Sequence, residues 1–411
     1  MLGVRAKANG FNETSKVFVT RILGDCPQCE SKNTYGNVSI HSDHVLRGCT
    51  QCSYEGFFWL PEIRKSILYL DQFFFSHAFR AKDPRFVDAA DLVSKMTSSQ
   101  LLVVPYSSIH EDESRMWRGN GSNDQEDLME FIKSTSGGHE FSPDYNVEKT
   151  QIVKAFQAYL SSASTEYIVD ERDAVPNDIH RWDDYFRIDV PGYFKDVELG
   201  RKLKNESIEL LINAFDGWQE STSTFDEHVA LEMRESAKSY IEPYVKQALR
   251  LAQGDFDAVL DSPVRANVCE SLLYCLDNNL ADTVKFETIK RFFYSEYFRK
   301  LPYQSISCRT FAVLKEMVAR GAYANRDKAK RRLRGIFQDI GHIATYAPYC
   351  DAIVVDKPMA ELVTSSRLNI ESEFGVRVFS LNNWDKFYNW LNELENRITD
   401  DHRAGLEAAY V

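Results

Sequence analysis

Apolar and polar positions along the chain fall into three regimes. The first is a set of short unbroken apolar runs, "SILYL" (66–70), "LLVVP" (101–105) and "AIVV" (352–355), each set between polar turns and next to a helical pattern. Runs of this kind predict parallel strands covered on both faces, and Pro105 stops the second because it has no amide hydrogen to donate. A fourth run, "GVRVFS" (375–380), alternates as a strand does. The second regime extends from Asp112 to about Tyr323, where apolar residues recur at three and four positions, as in "KTQIVKAFQAYLSSAS" and "FETIKRFFYSEYFRKL". That period predicts amphipathic or buried helices. The third covers residues 24–60, rich in cysteine and closing on the aromatic run "YEGFFWLP", after a lead-in with one short strand at "KVFVTRI".

An α/β fold follows, in which strands near 70, 102, 354 and 378 share one parallel sheet and a large helical segment is inserted between them. The expected organisation is a lead-in and cysteine module over 1–60, a first part of the core over 61–115, a helical insert over 116–324 and the second part of the core over 325–411. No internal repeat stands out.

With 44% hydrophobic and 27% charged residues in 411, the chain can bury ordinary cores. No run reaches the ~18 apolar residues of a membrane helix and the start has no apolar leader core, so a cytoplasmic protein without membrane contact is expected. The net charge of −12 argues against wholesale wrapping of nucleic acid while leaving room for a local basic patch.

Four of eight cysteines form two CxxC pairs, Cys26/Cys29 and Cys49/Cys52. Paired knuckles at this spacing present four thiolates to one tetrahedral ion, and zinc suits them because it carries no redox demand and adds folding energy to a segment too small for its own core. The segment resembles a zinc ribbon, a module that is structural or docks nucleic acid or protein. His41, His44 and Arg47 could face phosphate; Phe57, Phe58 and Trp59 could either stack on bases or anchor the ribbon to the next domain, and anchoring is expected, since they run straight into the first strand of the core.

The candidate chemistry lies in acids placed after strands. Asp71 follows "SILYL", and Glu111, Asp112 and Glu113 follow the second strand, at the carboxyl edge where open α/β sheets place their ligands. Asp356 follows "AIVV" at that same edge. Asp351 precedes it, and a four-residue strand spans roughly 13 Å, so Asp351 belongs to the opposite end as a cap or strand-start residue. Asp339 sits in a helix with His342 three residues on. Any one of these acids alone is accounted for as a helix cap or surface charge.

Together, "ILYLDQ", "SSIHEDES", "FQDIGHIATYA" and "AIVVDK" resemble the PIN-domain family of magnesium- or manganese-dependent nucleases, over roughly 66–115 and 330–395. The resemblance implies an acidic pocket of Asp71, Glu113, Asp339 and Asp356 holding Mg²⁺ or Mn²⁺, with Glu111 and Asp112 as alternatives to Glu113. It also implies phosphodiester cleavage, RNA before single-stranded DNA, in toxin, processing or defence roles. Two departures stand out: Phe73 replaces the polar residue members carry two after the first Asp, and the insertion is much longer. His110 and His342 are expected to support a ligating acid or a phosphate, or else to be local caps.

The stretch "NRDKAKRRLRG" (325–335) sets Lys328, Lys330, Arg331, Arg332 and Arg334 just ahead of Asp339, and Lys357 adjoins Asp356. These could provide salt-sensitive phosphate contacts, or form a solvated helix surface. The aromatics of "RWDDYFRIDVPGYF" are expected to pack in the core, and no second metal site is expected around His180. A homodimer or a protein partner is compatible with this organisation. The rival reading is a non-catalytic nucleic-acid or protein-binding scaffold with a vestigial PIN-like core.

Overall fold

The computed structural model describes residues 17–117, 125–183, 197–259 and 264–411. Most of the lead-in and much of "RWDDYFRIDVPGYF" lie outside them. The front of the chain forms a four-stranded antiparallel sheet in the order β1 (Arg21–Gly24), β2 (Tyr35–Ile40), β3 (His44–Cys49), β4 (Glu55–Trp59). The second sheet is parallel and joins β5 (Ser66–Leu70), β6 (Leu102–Val103), β7 (Ala352–Val354) and β8 (Arg377–Phe379) in the order β6-β5-β7-β8. Leu68 pairs with Ala352 and Leu70 with Val354, so one sheet is built from the two distant parts of the chain, as the apolar runs predict.

All five residues of β5 are buried, which is why "SILYL" reads as an unbroken apolar run. Alternate side chains serve two cores. Ile67, Tyr69, Val103, Ile353 and Val378 face one core, while Leu68, Leu70, Leu102, Val354 and Phe379 face the other. Between β5 and β6 run α1 (Gln72–Arg80) and α2 (Pro84–Ser98), the latter capped by Asp83.

After β6 come α3 (Ser108–Met116), α4 (Gln125–Thr135), α5 (Asp144–Leu160), α6 (Val197–Glu220), α7 (Phe225–Ala252), α8 (Val264–Tyr274), α9 (Asp282–Phe293), α10 (Glu296–Arg299), α11 (Pro302–Ala319), α12 (Arg326–Arg332) and α13 (Ile336–Tyr346). Helices α5, α7, α8, α9 and α10 enclose a core of their own around Phe156, Tyr240, Leu272, Phe292 and Phe298. Residues Phe215 of α6, Leu314 of α11 and Ile340 of α13 instead pack on the Tyr69 face of the sheet. The inserted helices therefore split between a separate core and the wall of the sheet. Helices α14 (Lys357–Val363), α15 (Ile370–Phe374), α16 (Trp384–Glu395) and α17 (Asp400–Ala409) complete the chain, so four helices follow the one that carries Asp339.

The ribbon is seated on α17. Asn37 Nδ2 donates to the Ala408 carbonyl at 2.8 Å and an Arg21 guanidinium nitrogen to that of Glu407 at 3.1 Å. Beneath it Val45, Leu60, Ile63, Trp182 and Ala409 form a small core. A Cβ at Gly405 would lie 2.8 Å from the Trp182 ring, so glycine permits this close approach.

Candidate functional site

Cys26 and Cys29 lie in the turn between β1 and β2, and Cys49 and Cys52 at the corresponding turn between β3 and β4. Their sulfurs all lie within 4.8 Å of one another. Cys26 Sγ is 3.7 Å from Cys52 Sγ, and Cys29 Sγ is 3.8 Å from Cys49 Sγ. A tetrahedral ion with Zn–S bonds of about 2.3 Å would set its sulfurs about 3.8 Å apart, so donor set and spacing both fit zinc. Amides of Gln28 and Cys29 point at Cys26 Sγ and that of Gln51 at Cys49 Sγ, an arrangement that favours thiolate. Burial pushes the Cys49 thiol up, but the Thr34 hydroxyl and the Gln51 and Cys52 amides outweigh it and bring it down to about 6.

The parallel sheet places the predicted acids by its register. Because Leu70 pairs with Val354, both chains leave the sheet side by side, and the Asp71 amide donates to the Val354 carbonyl at 3.0 Å. The chain runs from β5 out to β6 on one side and returns to β7 on the other, so this edge is a topological switch point. Asp71 starts α1 and its carboxylate makes no cap to that helix.

Glu113 reaches the same edge through α3, which His110 fastens. The Ser107 amide donates to His110 Nδ1 at 2.9 Å, which leaves the proton on Nε2; that N–H donates to the Leu70 carbonyl at 2.9 Å. Burial drives the His110 pKa down to about 4, against an opposing pull from Glu113. His110 is thus a buried cap and tie with both ring nitrogens engaged. The Tyr69 hydroxyl stands 3.4 Å from Nδ1 of His342, itself buried on α13. Burial raises the Tyr69 hydroxyl well above its ordinary pKa, and the charges of Asp71, Asp339 and Glu113 add to that shift. Three of the four predicted acids accordingly act on one buried hydroxyl.

Asp356 is placed differently. Its Oδ1 caps α14 by accepting from the Met359 amide at 2.8 Å. Burial raises its carboxyl pKa, the Met359 amide and Arg332 oppose the shift, and Glu361 adds to it. Among the described residues the four cysteines are the only group of three or more His, Cys, Asp or Glu donors gathered within 4.8 Å; the carboxylates form no comparable cage. At the other edge Asp351 Oδ2 accepts from the Ile67 amide at 2.8 Å, the strand-start role its position predicts.

Much of the basic run is engaged within the chain. Lys330 pairs with Glu209 at 2.7 Å and Arg332 with Glu361 at 3.3 Å; Arg326 pairs with Asp216, and Arg334 approaches Asn205 Oδ1 at 3.5 Å. Lys328, Arg331 and Lys357 are exposed.

Two features escaped the sequence reading. Of the three aromatics only Phe58 packs on the small core beneath the ribbon; Phe57 and Trp59 are 60% and 68% exposed, because alternate residues of β4 point to opposite faces. His41 and His44 stack on each other at 4.6 Å, and the His44 ring lies 5.4 Å from that of Trp59. Two acids of α5 lie near α3 and each other. Burial raises the Glu148 carboxyl to about 7, with Arg265 opposing and Asp144 adding, and Asp144 in turn acts on Asp112. The four-residue spacing of Asp144 and Glu148 is visible in "DYNVE", but nothing local ties that helix to the sheet.

The described residues contain no helix long and apolar enough to cross a membrane. No protein-family model matches the sequence, and neither a curated protein nor a solved structure matches it significantly.

Proposed function

We propose that this protein is a divalent-metal-dependent endonuclease with a PIN-like core, acting on RNA in preference to single-stranded DNA. The observation that carries the reading is the side-by-side exit of β5 and β7, which sets Asp71 and Asp356 just beyond the carboxyl ends of two central strands. Glu113 and Asp339 supply further carboxylates around Tyr69. These are hard oxygen donors of the kind Mg²⁺ and Mn²⁺ prefer, and Mg²⁺ commonly uses only one or two carboxylates plus substrate phosphate, so a closed cage is not required. When bound, the metal would neutralise charge at the scissile phosphate and lower the pKa of an attacking water. The chain's own contribution is to bring Asp71, Glu113 and Asp339 around Tyr69, with α3 fixed by the His110 tie. The choice of RNA rests on the family resemblance alone.

A binding scaffold is the second reading, and two observations favour it. Asp356 already serves as a helix cap, and the outer face of the ribbon displays Phe57 and Trp59 beside stacked imidazoles, a platform on which unpaired bases can stack. Calorimetric titration of the zinc-loaded protein with Mn²⁺ separates the two. The nuclease reading expects binding that disappears in Asp71→Asn and weakens in Asp356→Asn; the scaffold reading expects no binding dependent on either acid.

A further inference from the structure

The turn that carries Asp71 is bonded to α3 on both sides of that acid. Before it, the Leu70 carbonyl accepts from His110 Nε2 at 2.9 Å; after it, Gln72 Nε2 donates to Ser114 Oγ at 3.2 Å. His110 and Ser114 are one helical turn apart, so they share a face of α3, and both are buried. Glu113 lies between them in sequence. The two bonds therefore bracket Asp71 on one segment and Glu113 on the other. One bond alone would leave α3 free to swing about His110, and the Gln72 side chain removes that freedom.

Gln72 has a second polar atom that this bond does not use. Its Oε1 is buried and has no hydrogen-bond partner. A buried oxygen left this way is disfavoured unless a donor or a cation completes it. The acids that the two bonds bracket cannot supply what is missing, because ionised carboxylate oxygens only accept. An amide oxygen beside carboxylates is instead the all-oxygen set that suits Mg²⁺ or Mn²⁺, ions that keep several waters and so bring donor hydrogens with them.

We propose that Gln72 is a positioning residue of the divalent-cation site at this edge, holding α3 through Nε2 and accepting at Oε1 a hydrogen bond from water carried by the ion. The inference rests on the reading of Asp71 and its fellow acids as that site, and it adds a neutral oxygen to them. Its test reads binding and melting, with no cleavage involved.

The experiment is calorimetric titration of the zinc-loaded full chain with Mn²⁺, on wild type, Gln72→Met, Gln72→Glu and Asp71→Asn, with melting curves taken with and without the ion. Gln72→Met keeps the length of the side chain and removes both polar atoms, so it should bind Mn²⁺ about three- to tenfold more weakly. Gln72→Glu puts an anionic oxygen in the same place, where the Ser114 hydroxyl can still donate to it. It should bind roughly tenfold more tightly, and Mn²⁺ should raise its melting temperature more than that of wild type. Opposite shifts mark an oxygen turned to the ion, whereas a residue that only ties α1 to α3 would move both variants the same way. Should Gln72→Glu not fold, Ser114→Ala takes its place: it breaks the tie but keeps Oε1, and should cost less Mn²⁺ affinity than Gln72→Met. Binding that is lost in Asp71→Asn yet unchanged, or shifted in one direction, in the two Gln72 variants overturns this inference and leaves the cation site standing. If wild type binds no Mn²⁺, the cation site and this inference fall together.

Discussion

His110 donates its Nε2–H to the carbonyl oxygen of Leu70, tying α3 to the last residue of β5 and holding Glu113 beside the edge where Asp71 emerges. The ring is buried and stays neutral down to about 4, whereas an unfolded histidine titrates near 6.5. Its contribution to stability is therefore fully present above about 6.5 and declines as pH falls toward 4, with a ceiling of about 3 kcal/mol. Melting curves of wild type and His110→Gln should differ most at pH 7 and converge by about pH 4.5. Parallel curves across that range would contradict this role.

Four sulfurs at tetrahedral spacing predict one zinc per chain. Native mass spectrometry should show that ion in wild type and its loss in Cys26→Ser. Because Leu60 and Ile63 share a core with the ribbon's Val45, removing zinc with a strong chelator should lower the melting temperature of the whole protein. An unchanged melt after verified zinc loss would mean the ribbon seat stands without its metal.

Gly405 tests that seat from the other side. In an ordinary helix, glycine to alanine stabilises by roughly 1 kcal/mol. Here the added Cβ would meet the Trp182 ring at 2.8 Å and Pro61 at 3.1 Å, so Gly405→Ala should instead destabilise by about 1–3 kcal/mol. Denaturant titration gives the sign directly.

Adjacent aromatics of β4 should behave oppositely. Phe58→Ala removes the ring that packs on the small core and should cost about 1–3 kcal/mol. Trp59→Ala changes an exposed ring and should fall within roughly 0.5 kcal/mol of wild type. Equal losses would place Trp59 in a packed interface.

The parts legible in the sequence were those governed by local pattern. "SILYL" and "AIVV" announced buried strands because both faces of β5 and β7 are covered, and the CxxC pairs announced their own geometry. What escaped depended on contacts between distant segments. Lys330 and Arg332 looked available for phosphate, yet Glu209 of α6 and Glu361 of α14 meet them, and no local signal forecasts those partners. Phe57 and Trp59 run into the core strand in sequence but not in space, because strand alternation separates the faces of β4. Asp356 sits at the expected edge, but its cap to Met359 needed the geometry of α14.

The most direct measurement is cleavage of end-labelled single-stranded RNA and DNA by purified protein with Mn²⁺, with Mg²⁺ and with EDTA, alongside Asp71→Asn and Asp339→Asn. Metal-dependent cutting, stronger on RNA and reduced at least about a hundredfold in both variants, is the predicted result. Intact substrates under every metal condition, or cutting that survives both substitutions, would contradict a nuclease centre at the carboxyl edge of the sheet.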